Sequence, residues 1–204
     1  MNARAQPEIE TPKMKDRKIE YLEYTVAGLA AQVDRLLAEA DIRKVQARYM
    51  MLCDTPCPDP SVVDDAQRIE AIVDLYTEDA VWEGVGSFYD NQFGRCVGKD
   101  AIRKHFEAFW QQKKAPALVL NVHYLTSEHI RVDGEVADGQ WVHCQPWVFS
   151  DGSSLLRSSR LNNAFRKVDG MWKLTRTRTE NVFSAPLPNC WAGKVPERSV
   201  LMQP

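Results

Sequence analysis

Two of the four histidines in the 204-residue chain lie in a stretch that is otherwise typical of β-strands. His123 stands beside Tyr124, and His143 follows Val142. A neutral imidazole is an effective general base near neutral pH because its ordinary pKa is about 6.5. Such a base works best when a carboxylate fixes the tautomer of the ring and stabilises the imidazolium. Each histidine is therefore either the working group of a pocket or a packed core residue.

Tyr49 and Asp54 are further candidates, and both stand near the end of a predicted helix. Tyr49 shares one helical face with Ile42, Val45 and Leu52. It is either a core aromatic whose hydroxyl finds one partner, or a group that donates a proton to a substrate oxygen. Asp54 either serves an acid/base site or caps the loop before Pro56.

Apolar spacing predicts the helices that would position these groups. A first helix covers Tyr21 to Ala40, and Asp41 can cap a second one that ends near Leu52. Two more helices are predicted over Asp64–Tyr76 and Ala101–Gln112. In the last of these, His105 shares a face with apolar residues, where it either packs or contacts a ligand.

The second half of the chain predicts antiparallel strands. Asp133-Gly134 is a hairpin signal between a first strand, from 122 to 132, and a second, Val136–Phe149. Another strand is predicted to begin at Ala80. Two more cover Leu155–Val168 and Met171–Thr179 and are joined by an Asp-Gly turn. This order predicts an α+β fold with helices packed on one bent sheet. We predict a flexible arm over 1–20, one domain over 21–180 and a proline-rich tail over 181–204.

The composition argues against several classes of function. A net charge of -2 gives no basic surface for nucleic acid, and no apolar run approaches the roughly 20 residues of a membrane span. The five cysteines are scattered, and the N-terminal residues lack an apolar leader, so we expect free thiols and a cytoplasmic protein. Metal-binding spacings such as H-x-x-H and glycine-rich phosphate loops are missing, so we expect neither a metal site nor nucleotide binding.

Several short motifs stand in an order that resembles the SnoaL-like branch of the NTF2-like superfamily. They include AEADIR over 38–43, LYTEDAVWE over 75–83, GKDAI over 98–102 and FRKVDGMWK over 165–173. The resemblance covers about Leu36 to Thr179. It implies a cone-shaped α+β barrel in which a curved, mostly antiparallel sheet wraps around helices and encloses an apolar pocket.

The superfamily includes scytalone dehydratase, bile acid 7α-dehydratase, hexachlorocyclohexane dehydrochlorinase, steroid isomerases, polyketide cyclases and lignin-dimer formaldehyde lyases. In its dehydratase and dehydrochlorinase group, an aspartate after the first conserved helix orients a histidine on a strand. Asp54 and His123 match those positions, with Tyr49 and His143 as further acid/base residues. Asn163 is expected to point inward on the third strand of the second half. The residues expected to contact the substrate are Trp82, Phe88, His105, Tyr124, Trp141, Asn163 and Arg176, with Arg178 as the alternative to Arg176.

The resemblance implies a cofactor-independent lyase or isomerase that acts on a hydroxylated aromatic or polycyclic small molecule. Dehydration, a double-bond shift and retro-aldol loss of formaldehyde all use the same set of groups. The alternative is a non-catalytic ligand-binding or assembly subunit, as in ring-hydroxylating dioxygenase small subunits. In that case Asp54 and His123 would be too far apart to bond. We expect a homodimer or homotrimer in either case.

Overall fold

A computed structural model describes residues 12–86, 94–111 and 114–187. The chain divides into two compact units, Met1–Ala38 and Glu39–Pro204. All described residues of the first unit are helical. The second unit contains the sheet, two complete helices and the end of the first helix.

Helix α1 (Pro12–Cys53) is a single helix where the sequence predicts two. Asp41 does not cap a new helix, since its carboxylate pairs with Lys44 one turn later at 2.8 Å. The helix also includes residues 12–20, which we predicted as part of a flexible arm. No proline interrupts the run before Pro56, so nothing in the local sequence forces a break.

Helices α2 (Asp65–Asp74) and α3 (Lys99–Trp110) confirm two of the predicted helices. The carboxylate of Asp64 caps α2 by accepting a hydrogen bond from the backbone N–H of Gln67 at 2.8 Å. Both helices are amphipathic: α2 buries Ile69, Ile72 and Val73, and α3 buries Ile102 and Phe106. Across the described ranges, no helix combines the length and apolar character that a membrane span requires.

Within the described residues, the sheet has seven strands. They are β1 (Tyr76–Val85), β2 (Arg95–Val97), β3 (Leu118–Asn121), β4 (Tyr124–Asp133), β5 (Val136–Phe149), β6 (Ser154–Val168) and β7 (Met171–Pro186). Their order is β2-β1-β7-β6-β5-β3, and β4 also pairs with β5. The β1–β7 pair is parallel and the other pairs are antiparallel. This curled mixed sheet with its helices is an α+β fold of the NTF2-like type, as predicted.

Strands β2 and β3 were not predicted, and the other strands differ from the predicted ones mainly at three places. Strand β1 begins at Tyr76, four residues before the predicted start at Ala80, and β7 continues to Pro186, past the predicted end at Thr179. The strand predicted over 122–132 is interrupted at Val122 and His123. The register along β5 is continuous across the interruption. Asn121 pairs with Trp147 before it, and Tyr124 pairs with Cys144 after it. The chain therefore leaves the sheet only locally, at the histidine.

Candidate active site

The loop after α1 is joined to the sheet at Asn121. The backbone N–H of Thr55 donates to the carbonyl of Asn121, and the N–H of Asn121 donates to the carbonyl of Thr55, both at 2.8 Å. Asp54 immediately precedes this contact and His123 follows it by two residues. The bridge thereby brings an aspartate from the end of a helix next to a histidine that lies far away in sequence.

The carboxylate of Asp54 contacts His123 twice. Its Oδ1 accepts a hydrogen bond from the backbone N–H of His123 at 2.9 Å and lies 2.7 Å from Nδ1 of the imidazole. A carboxylate can only accept, so Nδ1 carries the proton and Nε2 of the neutral ring keeps a lone pair. The side chains of Asp54 and His123 are only 10% and 11% exposed, so water competes little for this contact. The arrangement can support a general base.

His143 lies beside this pair. The centroids of the His123 and His143 rings are 5.6 Å apart. His143 is buried on β5, and burial, with a smaller electrostatic effect from the nearby His123, lowers its pKa to about 3. It is therefore neutral at physiological pH, and its Nδ1 is buried with no hydrogen-bond partner among the described residues. A neutral imidazole in this position can donate one hydrogen bond to a ligand or accept one from it.

Tyr49 lies on the α1 side of the same cavity. Its hydroxyl oxygen accepts a hydrogen bond from the indole N–H of Trp82 at 2.9 Å. Burial, reinforced by the nearby Tyr76, raises the pKa of Tyr49 well above its ordinary value, so the phenol keeps its proton. The oxygen accepts from Trp82, and the O–H can be donated either to the neighbouring hydroxyl of Tyr76 or to a ligand in the cavity. Tyr49 can therefore act as a donor.

These groups open onto a cavity of about 90 Å³. Its apolar walls come from α1, β1, α3, β5 and β6, and they include Met50, Trp82, Phe106, Phe109, Trp110, Trp147 and Leu161. His105 also lines it, with its ring centroid 4.1 Å from that of Trp82. Burial, with a contribution from the charge of Lys114, lowers the pKa of His105 to about 4, so this ring is neutral as well.

Several polar atoms in the cavity wall are buried and have no hydrogen-bond partner within the described part of the chain. Besides His143 Nδ1, they are Asn121 Oδ1, Gln145 Oε1, Trp110 Nε1 and Trp147 Nε1. A buried polar group without a partner costs about 1–3 kcal/mol. The set contains two carbonyl acceptors and two N–H donors, which a ligand with both donors and acceptors can satisfy.

The structure brings together six of the residues predicted from the sequence. Asp54 holds His123, while His123, His143, Tyr49, Trp82 and His105 line the cavity. Phe88 lies outside the described residues.

Four other residues that were predicted to contact the substrate do not line this cavity. Tyr124 is 58% exposed, because it pairs with Cys144, which stands between the cavity-lining His143 and Gln145 and therefore faces the other side of the sheet. Trp141 is buried outside the cavity lining and donates its indole N–H to Glu128 at 3.2 Å. Asn163 points inward but donates to Gln46 at 2.8 Å instead of lining the cavity.

Arg176 also lies away from the cavity. Its guanidinium pairs with Glu83, and so does that of Arg178. The inward positions on β7 are the buried Thr177 and the cavity-lining Thr179, so alternation along the strand turns both arginines outward.

The polar wall residues Asn121 and Gln145, and with them Trp147, were not predicted. Strand alternation could have identified two of them, because Gln145 and Trp147 follow His143 at spacings of two and share its face. Asn121 likewise stands two residues away from His123, on its N-terminal side. Among the described residues, no group of three or more His, Cys, Asp or Glu side chains is placed to hold a metal ion.

The family model of the SnoaL-like domain matches residues 34–178, well over half of the chain. No curated protein matches the sequence.

Solved structures share the fold. A candidate aromatic ring hydroxylase from Novosphingobium aromaticivorans is 22% identical, with 72% of this chain and 92% of that chain covered and a TM-score of 0.55. A hexachlorocyclohexane dehydrochlorinase (LinA, type 2) is 19% identical, with 76% and 93% covered and a TM-score of 0.58. A candidate scytalone dehydratase from Novosphingobium aromaticivorans DSM 12444 is 17% identical, with 81% and 97% covered and a TM-score of 0.57.

Proposed function

Because the chain belongs to the SnoaL-like domain family of the NTF2-like superfamily, we propose that it is a cofactor-independent lyase or isomerase. Its substrate is a hydroxylated aromatic or polycyclic small molecule. The observation that carries the proposal is the 2.7 Å contact between Asp54 Oδ1 and His123 Nδ1 at the wall of an apolar cavity.

In this proposal, Nε2 of His123 takes a proton from a carbon or a hydroxyl group of the substrate. The imidazolium that forms is stabilised by the carboxylate of Asp54, which also keeps the ring in the reactive tautomer. A general base placed in this way typically contributes about 10²–10⁴-fold to the rate. The low exposure of both side chains strengthens the electrostatic contribution of the carboxylate.

The departing or carbonyl oxygen receives a hydrogen bond or proton from Tyr49 or His143. In a dehydration, the electrons of the C–H bond form the new double bond and the C–O bond breaks. The leaving hydroxide takes the donor's proton and departs as water. The proton on His123 then returns through solvent to the donor. In an isomerisation the same base returns its proton to another carbon. In the loss of formaldehyde from an aromatic diol, the base deprotonates the hydroxymethyl group and the C–C bond to that group breaks. The electron pair of this bond forms the new double bond, and the second hydroxyl leaves as water with the donor's proton.

The cavity walls support the proposed substrate class. Phe106, Trp110 and Trp147 offer flat apolar surfaces to a ring, and small-molecule sites are generally apolar with a few placed polar groups. The unpartnered oxygens of Asn121 and Gln145 can accept hydrogen bonds from substrate hydroxyls. A hydroxylated aromatic ring meets both requirements.

The alternative of a non-catalytic subunit is less well supported. One structural neighbour is described as a candidate aromatic ring hydroxylase, but the likeness is at 22% identity and concerns the fold. A non-catalytic subunit does not require an aspartate bonded to an imidazole inside a cavity. The separation of 2.7 Å lies within the roughly 3.2 Å that an acid/base pair needs.

The proposal can be tested with a panel of hydroxylated aromatic compounds, using mass spectrometry to detect loss of water, loss of formaldehyde or isomerisation. Wild-type protein is compared with His123→Ala and Asp54→Asn. His129→Ala is the matched control, since His129 is exposed on β4. We expect turnover by the wild type and by the control, and a large loss in the two site variants. Unchanged turnover in a folded His123→Ala protein would eliminate the proposed base.

A further inference from the structure

Helix α1 carries an apolar stripe in the unit Met1–Ala38. It consists of Ile19, Leu22, Val26, Leu29, Val33 and Leu36, and each of these side chains is more than half exposed. From Asp16 to Leu37, all side chains are exposed except that of Thr25, which is partly buried. Contiguous exposed apolar surface of this kind marks an interaction site. We call these six residues the seam.

The spacing of the seam is that of a coiled coil. Successive members are alternately three and four residues apart, which is a repeat of seven. A straight α-helix has 3.6 residues per turn, so a strict seven-residue repeat keeps one face toward a partner when two helices wind around each other. A helix that packs against a globular core usually has a broader and less regular apolar face.

The side-chain types at the two kinds of seam position favour one assembly. The first position of each repeat, a, holds the β-branched residues Ile19, Val26 and Val33. The second position, d, holds leucine each time, at Leu22, Leu29 and Leu36. β-branched residues at a with leucine at d favour a parallel, two-stranded coiled coil.

The charges beside the seam are consistent with this arrangement. Lys18 directly precedes the first a position, and Glu23 directly follows the first d position. In a parallel pair of helices these two positions, five residues apart, face each other across the interface. Lysine and glutamate have opposite charges, so a parallel pair of helices would have two symmetric contacts of this kind.

The seam also has a defined end. The next positions in the repeat are Ala40 and Arg43, and Arg43 pairs with Glu39 and Glu128. The neighbouring Ile42 is fully buried in the second unit. The exposed repeat therefore ends where residues of α1 begin to pack in the core of the second unit.

We propose that residues 19–36 of α1 form a parallel, two-stranded coiled coil with a second copy of this chain. The inference is independent of the proposed catalytic function. It gives the expected homo-oligomer a defined interface and stoichiometry.

The first test is the molar mass of the full-length protein in solution, measured by light scattering after size exclusion or by sedimentation equilibrium. We expect a dimer for the wild type and a monomer for the double seam variant Val26→Glu, Leu29→Glu. The matched control is Tyr24→Glu, Ala31→Glu, which adds the same charges to α1 outside the seam and should remain dimeric. Circular dichroism shows whether each variant is folded.

The second test concerns orientation. Leu22→Cys places a thiol at a d position, where a parallel pair brings it opposite its own copy. Under mild oxidation we expect a disulfide-linked dimer on a non-reducing gel, and no such band from the wild type. The proposal is overturned by a monomeric wild type, by a trimer or tetramer, by a dimer that persists in the double seam variant, or by failure of Leu22→Cys to cross-link.

Discussion

Thr55 and Asn121 exchange two backbone hydrogen bonds, each 2.8 Å long. This small contact joins the end of α1 to the strand that leads into His123. It fixes the position of the Asp54 carboxylate relative to a ring that lies 69 residues further along the chain. Because these bonds involve only the backbone, side chains at Thr55 and Asn121 can vary without losing the contact.

Asp54→Asn should reduce turnover by about 10²–10⁴-fold, the range associated with a general base. The amide oxygen can still accept from the backbone N–H of His123, but the charge that stabilises the imidazolium is lost. We therefore expect a small change in the free energy of unfolding. The measurement is kcat together with urea unfolding, and Asp138→Asn, at an exposed carboxylate on β5, is the control. Retention of wild-type kcat in Asp54→Asn would contradict the assigned role.

Tyr49→Phe should lower both stability and turnover. It removes the acceptor for the buried indole N–H of Trp82, which costs about 1–3 kcal/mol in the free energy of unfolding. It also removes the proposed donor, so kcat should fall more than KM changes. Tyr124→Phe makes the same chemical change at a tyrosine that is 58% exposed and outside the cavity lining. That control should keep both stability and kcat. A Tyr49→Phe protein that loses stability but keeps the wild-type kcat would mean that Tyr49 is structural.

The low pKa of His143 predicts that acid weakens the fold. Between its ordinary value of 6.5 and about 3, the unfolded chain binds a proton that the folded chain does not. The free energy of unfolding therefore falls as the pH falls through this window, by up to about 1.4 kcal/mol per pH unit. His105, with a pKa of about 4, acts in the same direction.

The test for His143 is urea unfolding at about pH 7 and about pH 5 for the wild type and His143→Gln. We expect the drop in stability between the two pH values to be smaller in the variant by about 1–2 kcal/mol. His129→Gln, at an exposed histidine, should behave like the wild type. An identical drop in all three proteins would show that His143 is already protonated in the fold or does not contribute.

Gln145→Met should separate binding from stability. The amide oxygen of Gln145 is buried without a partner among the described residues, so removal should leave the free energy of unfolding unchanged or raise it by up to about 1 kcal/mol. If that oxygen accepts a substrate hydroxyl, KM should rise by about tenfold, since a neutral hydrogen bond contributes about 1 kcal/mol or somewhat more. A destabilised variant with unchanged KM would assign Gln145 to the core instead.

Much of the fold could be predicted because its signals are local. The two Asp-Gly turns, the apolar spacing of α2 and α3 and the order of the elements all lie within short stretches of sequence. The continuity of α1 could not be read in the same way. Asp41 has the side chain of a helix cap, but it lies within α1 and pairs with Lys44.

The site was less predictable because its geometry depends on distant contacts. The spacing of two residues from His143 to Gln145 identifies a shared face once β5 is recognised. By contrast, nothing local indicates whether Arg176 or Thr177 faces inward, since that depends on how β7 pairs with β1. The interruption at His123 likewise depends on the bridge from Thr55.

One oxygen atom of Asp54 serves both the main chain and the ring of the same histidine. The same carboxylate oxygen therefore sets both the position of His123 and the basicity of its ring. Any rotation of the carboxylate disturbs both at once. Gradual evolutionary change at this position is correspondingly constrained. New substrate preferences in such a scaffold are more readily acquired by exchanging the residues around the cavity while the aspartate and histidine stay unaltered.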